Sequence, residues 1–150
     1  MVVIEHSGRM LTEHDVIKIE DRLGVRFPAP YRRFLLKHNG GRPTPDTIDV
    51  EGLPGNSTDI HSIFGTDETD EVAGLGWYVS TYAGRLSGDL LPIARDSGGN
   101  LFCLSLSRSD FGSVVYCDFD PTFHLGGATY YRVAADFDSF LERIRSFEDN

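Results

Sequence analysis

Apolar residues recur at helical intervals over the first forty positions. Val16, Ile19 and Leu23, with the adjacent Ile17, form one stripe. Before it, Thr12-Glu13-His14-Asp15 resembles a capping box, with the threonine hydroxyl serving a free amide and an acid at the third helical position. Gly24 suits the end of that helix. Val25-Arg26-Phe27-Pro28 reads as a short extended link, and Pro30 fits the first position of a second helix. Tyr31, Phe34 and Leu35 make its buried face, and Asn39-Gly40-Gly41 stops it. Residues 1–40 therefore read as two helices joined by a tight, Pro-marked link.

The pattern then changes. Residues 42–55 are rich in Pro, Asp and Gly, with Ile48 and Val50 alternating as in a short strand, and residues 59–64 read as another strand ended by Gly65. Val72, Leu75, Tyr78, Val79 and Tyr82 return to helical spacing. Asp70 and Glu71 fall at that helix's N-terminus, where the macrodipole favours negative charge. Gly74 and Gly76 each cost about 1 kcal/mol relative to alanine, which predicts a short or irregular helix. Strands follow at 90–95, 100–106, 113–118 and 129–134, spaced as in a meander. Asp136 caps a last helix whose Phe137, Phe140, Leu141, Ile144 and Phe147 share a stripe.

Within the meander, Asp96-Ser97-Gly98-Gly99-Asn100 separates two apolar runs. Glycines supply positive φ and the two side chains can bond nearby amides, so this is hairpin chemistry rather than an active-site loop. Pro92 places its strand near an edge or bulge. Leu91 and Ile93 share one face, as do Phe102, Leu104 and Leu106 on the next strand. Helices first, a meander later and a closing helix predict an α+β fold. The expected form is a single domain over 1–150, core about 10–147, with a mainly antiparallel meander sheet packed against N-terminal helices and a C-terminal helix.

With 40% hydrophobic and 25% charged residues, the 150-residue chain has the makings of one ordinary core and not of a disordered segment. No apolar run approaches the roughly 20 residues that cross a bilayer, and MVVIEHSGRM has no basic region of the signal-peptide kind. The expected location is cytoplasmic, with no membrane partner. There, Cys103 and Cys117 read as two free buried thiols.

Charge changes the picture more than composition does. The net charge is −9, yet residues 1–40 carry seven Lys/Arg against five Asp/Glu. Between Pro43 and Gly84 there is no Lys or Arg, while Asp46, Asp49, Glu51, Asp59, Asp67, Glu68, Asp70 and Glu71 all fall there. Such a surface repels nucleic acid and attracts basic partners.

The search for catalytic chemistry finds little. The five histidines are scattered without metal-chelate spacing, and His61, between Ile60 and Ile63, reads as a core or edge residue. Ser97 lacks a nucleophile-elbow context, no P-loop is present, and Asp67–Glu71 does not match an EF-hand loop. Asp118-Phe119-Asp120 and Asp136-Phe137-Asp138 are explained by turn and capping roles. No catalytic residue, metal or cofactor is expected. The enzymatic alternative is a hydrolase using Asp96 and His61.

Several segments together resemble a known family. They are residues 11–17, then Arg22-Leu23-Gly24-Val25-Arg26-Phe27-Pro28, then Tyr31 to Gly41, then Leu91-Pro92-Ile93-Ala94 with Asp96 to Asn100, and lastly Phe137-Asp138-Ser139-Phe140-Leu141. In this order, over roughly residues 10–145, the chain resembles the SMI/KNR-type branch of the SUKH superfamily. The resemblance implies an α+β domain with no shared catalytic constellation. It implies either an immunity protein that neutralises a cognate toxin, often a nuclease, or a regulator acting through protein partners. Combined with the charge pattern, the expectation is a non-enzymatic immunity-type protein that binds a basic toxin. The expected contacts are Asp46, Asp49, Glu51, Asp59, Asp67, Glu68, Asp70 and Glu71, with Trp77 beside them. The alternative is a regulatory or small-ligand-binding domain with no toxin partner.

Overall fold

The computed structural model describes residues 2–66, 74–119 and 128–148. Its elements in the first half are β1 (Val3–Glu5), α1 (Glu13–Leu23), α2 (Ala29–His38), β2 (Arg42–Thr44), β3 (Thr47–Asp49), β4 (Ser57–Asp59) and β5 (Ser62–Ile63). The second half holds α3 (Leu75–Tyr82), β6 (Leu90–Arg95), β7 (Leu101–Ser105), β8 (Val114–Asp118), β9 (Thr129–Ala134) and α4 (Phe137–Glu142). This is the expected α+β arrangement.

α1 begins with the capping box read from the sequence. Asp15 N–H donates to Thr12 Oγ1 at 3.1 Å and Thr12 N–H donates to the Asp15 carboxylate at 2.8 Å. Those bonds, the backbone one foremost, hold the Asp15 carboxyl below its ordinary value. Gly24 closes the helix at φ 70°, a conformation in which a Cβ is unfavourable. Val16 and Ile19 are buried, but Ile17 points away and is 46% exposed. The link to α2 is fastened by Glu20, whose buried carboxylate accepts from Phe27 N–H at 2.8 Å. On α2, Tyr31, Phe34 and Leu35 are buried as predicted, and Tyr31 meets Phe27 and Phe137 edge-on. The Tyr31 hydroxyl is buried there without a hydrogen-bond partner among the described residues.

The five-stranded sheet runs β5-β6-β7-β8-β9, antiparallel throughout. All five residues of β7 are buried. Phe102 meets Phe140 of α4 with ring centroids 5.4 Å apart, and its neighbours Leu101 and Cys103, pointing to the other face, are buried as well. The centre of the sheet is thus covered on both sides. Cys103 and Cys117 are free buried thiols with their Sγ atoms 3.5 Å apart. Burial, and then the neighbouring Cys117, push the Cys103 thiol far above its ordinary value.

Several local expectations are corrected. Residues 1–40 hold a strand as well as two helices, because β1 pairs with β2 some forty residues away. The single strand expected at 59–64 is two strands in different sheets. β4 pairs with β3, while β5 joins β6, and Ile60 and His61 make the crossing through bonds to the carbonyls of Asp46 and Arg95. The register shifts between Pro92 and Ala94, so Ala94, not Ile93, lies opposite Phe102. The irregularity falls where Pro92 marks an edge or bulge. α3 starts after Gly74, and the expected helix start with Val72, Asp70 and Glu71 lies outside the described residues. Phe147 is exposed, since the chain leaves helical geometry after Glu142 and carries it off the stripe.

The β1–β2 pair is joined to the large sheet through a bridge between Gly41 and Ile63. Here two segments of backbone touch. A Cβ at Gly65 would sit 2.3 Å from the Asn39 carbonyl oxygen, and one at Gly40 would sit 2.4 Å from Gly65 N. Asn39 completes the junction. Its Nδ2 donates to the carbonyls of Arg9 and Thr66, both at 2.8 Å, and its Oδ1 accepts from Thr66 N–H at 2.9 Å.

Candidate functional site

The β6–β7 turn does form the hairpin its residues predict. Asp96 accepts from the amides of Gly98 (3.0 Å) and Asn100 (2.8 Å) through Oδ1. Its Oδ2 faces elsewhere, accepting from the hydroxyls of Thr58 on β4 (2.9 Å) and Tyr116 on β8. Asp96 is 3% exposed, so one carboxylate ties the turn, the β3–β4 hairpin and the sheet together. Four donors converge on its two oxygens, which is the pattern of an ionised group. Burial, followed by the bond to Asp96, raises the Tyr116 hydroxyl well above its ordinary value and keeps it a donor.

Around this point lies an open cleft of about 570 Å3. Leu53 and Pro54 from the β3–β4 turn, Tyr116, and Phe119 beyond β8 form its apolar wall, while Asp59, Asp96 and Asp118 supply carboxylates. Asp59 accepts from both the amide (3.0 Å) and the hydroxyl (2.9 Å) of Ser97. Asn100 reaches across to accept from Phe119 N–H at 2.9 Å, fixing the far wall. No Lys, Arg or His lines the cleft among the described residues. The ion pairs of the described residues join Arg9–Asp15, Arg32–Glu13, Arg32–Glu20, Arg33–Asp138 and Arg145–Asp49, and none involves Asp59 or Asp96. A second hollow, about 270 Å3, lies among the end of α1, α3 and β6, but its walls are mostly apolar.

The expected contact residues are dispersed. Asp46, Asp49, Glu51 and Asp59 share the β3–β4 segment, yet only Asp59 lines the cleft. Asp49 is exposed but bound by Arg145 at 2.7 Å, a bond that holds its carboxyl below the ordinary range. Asp67, Glu68, Asp70 and Glu71 lie outside the described residues. Trp77 is 36% exposed on α3, set edge-on against Tyr78, and does not line the cleft. Tyr78 itself is a core residue stacked on Phe64 at 3.8 Å. Sequence reasoning missed the site roles of Asp96, Asp118, Tyr116 and Phe119. The one signal available was that Asp96 follows one predicted strand of the meander and Asp118 ends the next strand but one.

The pieces of a hydrolase are engaged elsewhere. The His61 ring lies against the Arg42 guanidinium at 3.3 Å, and the four described bonds of the Asp96 carboxylate go to the turn amides and to Thr58 and Tyr116. The Ser97 hydroxyl donates to Asp59 rather than to an imidazole.

Helices packed on an antiparallel meander, with an acidic cleft at the β6–β7 turn, define a small α+β domain whose polar groups converge on a concave face. The chain belongs to the SMI1 / KNR4 family (SUKH-1), whose family model matches residues 10–143. It is 21% identical over 146 residues to the SPbeta prophage-derived uncharacterized protein YokK of Bacillus subtilis (strain 168), covering 87% of this chain and 72% of that protein. The fold is shared with a protein from Pseudomonas syringae pv. tomato of known crystal structure. The TM-score is 0.51 at 16% identity, over 76% of this chain and 72% of that one. Membership in this family is consistent with an immunity-type or a regulatory role.

Proposed function

We propose that this protein, acting as a single domain over residues 1–150, is a non-enzymatic immunity-type protein of the cytoplasm. It binds a basic protein toxin, a nuclease by preference, and neutralises it by covering the toxin's cationic surface. The observation that carries this reading is the cleft with three carboxylates and no described cation in its lining. It stands beside a chain segment, Pro43 to Gly84, that contains no Lys or Arg at all. A nuclease must present positive charge to hold phosphates. A negative face steers such a partner in and occupies the same charges, while buried apolar contacts supply most of the affinity. Two reduced, buried thiols fit a cytoplasmic setting.

The test is affinity capture from the native organism, identification of the partner, and measurement of association rate against ionic strength. The expected partner is basic, associates more slowly as salt rises, and loses activity when this protein is in excess. Charge reversal at Asp67, Glu68, Asp70 and Glu71 should slow association without unfolding the domain. A partner that is acidic, or that stays fully active when bound, overturns the reading. The size of the cleft, within the range of small-molecule sites, favours one other reading: a regulatory domain that binds a small ligand. Capture would then yield no toxin.

A further inference from the structure

We infer that the cleft between the β3–β4 hairpin and the β6–β7 turn is a receptor for one cationic side chain, arginine or lysine, presented by a protein partner. The inference rests on the partner-binding reading above and assigns that reading a specific pocket.

Three observations lead to it. The first is a buried charge without a counter-ion. Asp96 is solvated by two amides and two hydroxyls, all neutral, and takes part in none of the ion pairs described. Neutral donors satisfy its lone pairs but leave its net charge, and water screens a buried charge poorly. The second is shape. A cleft of about 570 Å3 has room for a long side chain with its flanking backbone, and its apolar wall suits the methylene stem of Arg or Lys. The third is the wall itself. Tyr116 and Phe119 line it beside the carboxylates, and aromatic rings of this kind attract a cation.

A metal ion fits less well. No group of three or more His, Cys, Asp or Glu among the described residues is placed to hold one. Asp59 and Asp96 already turn oxygens toward Ser97 and the turn amides. An extended organic cation can contact carboxylates spread along a cleft, whereas a bare ion needs them gathered at about 2.0–2.6 Å.

The experiment uses the full chain labelled with 15N. It is titrated separately with Nα-acetyl-arginine amide, with the uncharged Nα-acetyl-citrulline amide, and with calcium chloride. The arginine amide should shift the amides of Gly98, Gly99, Asn100 and Phe119 saturably, and the citrulline amide should not. Asp59→Asn keeps an oxygen for Ser97 and should weaken arginine-amide binding about threefold, the size of a partly exposed charge pair. Asp49→Asn, which removes a carboxylate already held by Arg145, should leave that binding unchanged. Equal shifts with citrulline amide, cleft shifts with calcium alone, or no saturable shift at these amides each overturn the inference. Arginine-amide binding combined with a non-basic captured partner would sink the toxin reading and keep the pocket. A basic partner with an unresponsive cleft would do the reverse.

Discussion

Asn39 and Asp96 occupy comparable places in this molecule. Each is more than nine-tenths buried, each sits at the end of a regular element, and each binds groups far away in sequence. Asn39 closes its account locally: two amide protons meet two carbonyls, and its oxygen meets one N–H. Asp96 is equally well bonded but keeps its charge. The neutral amide builds a junction and leaves nothing over, whereas the carboxylate builds a junction and also projects a field into a cleft. Structure and recognition are separated here by one atom, the amide nitrogen in place of a carboxylate oxygen.

The comparison breaks most severely at the backbone contact beside Asn39. Gly65→Ala forces a Cβ to within 2.3 Å of a carbonyl oxygen that belongs to the main chain and cannot swing aside. The expected loss is about 4 kcal/mol, measured by urea denaturation at equilibrium. Next comes exchange of the two side chains. Asn39→Asp turns a carboxyl toward the carbonyls of Arg9 and Thr66 and should cost about 3 kcal/mol. Asp96→Asn should cost less, about 1–2 kcal/mol, because the hydroxyls of Thr58 and Tyr116 can turn to accept from the new amide. Equal costs for the two would erase the distinction drawn between them.

The tyrosines sharpen the comparison at smaller scale. Tyr116→Phe removes a donor from Asp96 and should cost about 1 kcal/mol. Tyr31→Phe removes a hydroxyl that has no partner among the described residues and should be neutral or stabilising by up to about 1 kcal/mol in the same assay. The smallest effect concerns pH. Asp15 and Asp136 both have folded pKa values below the ordinary 3.8, chiefly through bonds to the backbone amides of Thr12 and Ser139. Their contribution is complete above 3.8 and is lost as pH falls through the lowered values. A thermal melt series across that range should show a shallow acid decline, and Asp15→Asn combined with Asp136→Asn should flatten it.

Both ends of α1, the end of α2 and the start of α4 were legible because their signals are local. Thr12 with Asp15, Gly24, Asn39 and Asp136 each act within a few residues. The β6–β7 turn was legible for the same reason. β1 was not, since Val3-Ile4-Glu5 is too short to show a period and its partner lies at residues 42–44. The split between β4 and β5 was hidden because Asp59 to Phe64 looks continuous, while the carbonyls that divide it belong to Asp46 and Arg95. The acidic character of residues 43–84 could be counted, but the cleft could not. It needs Asp59, Asp96 and Asp118 from three separate segments, and only the sheet register brings them to one place. Family membership, by contrast, was visible in the order of short motifs, and the matched span of 10–143 is close to the 10–145 they indicate.

The two thiols at the heart of the sheet make the protein its own stopwatch. Cys103 and Cys117 are shut away from solvent, and Cys103 is held in its unreactive protonated form. An alkylating reagent can therefore reach them only when β7 and β8 come apart. The pace at which label accumulates would time the opening of the sheet centre, and a bound partner that steadies the fold would slow it.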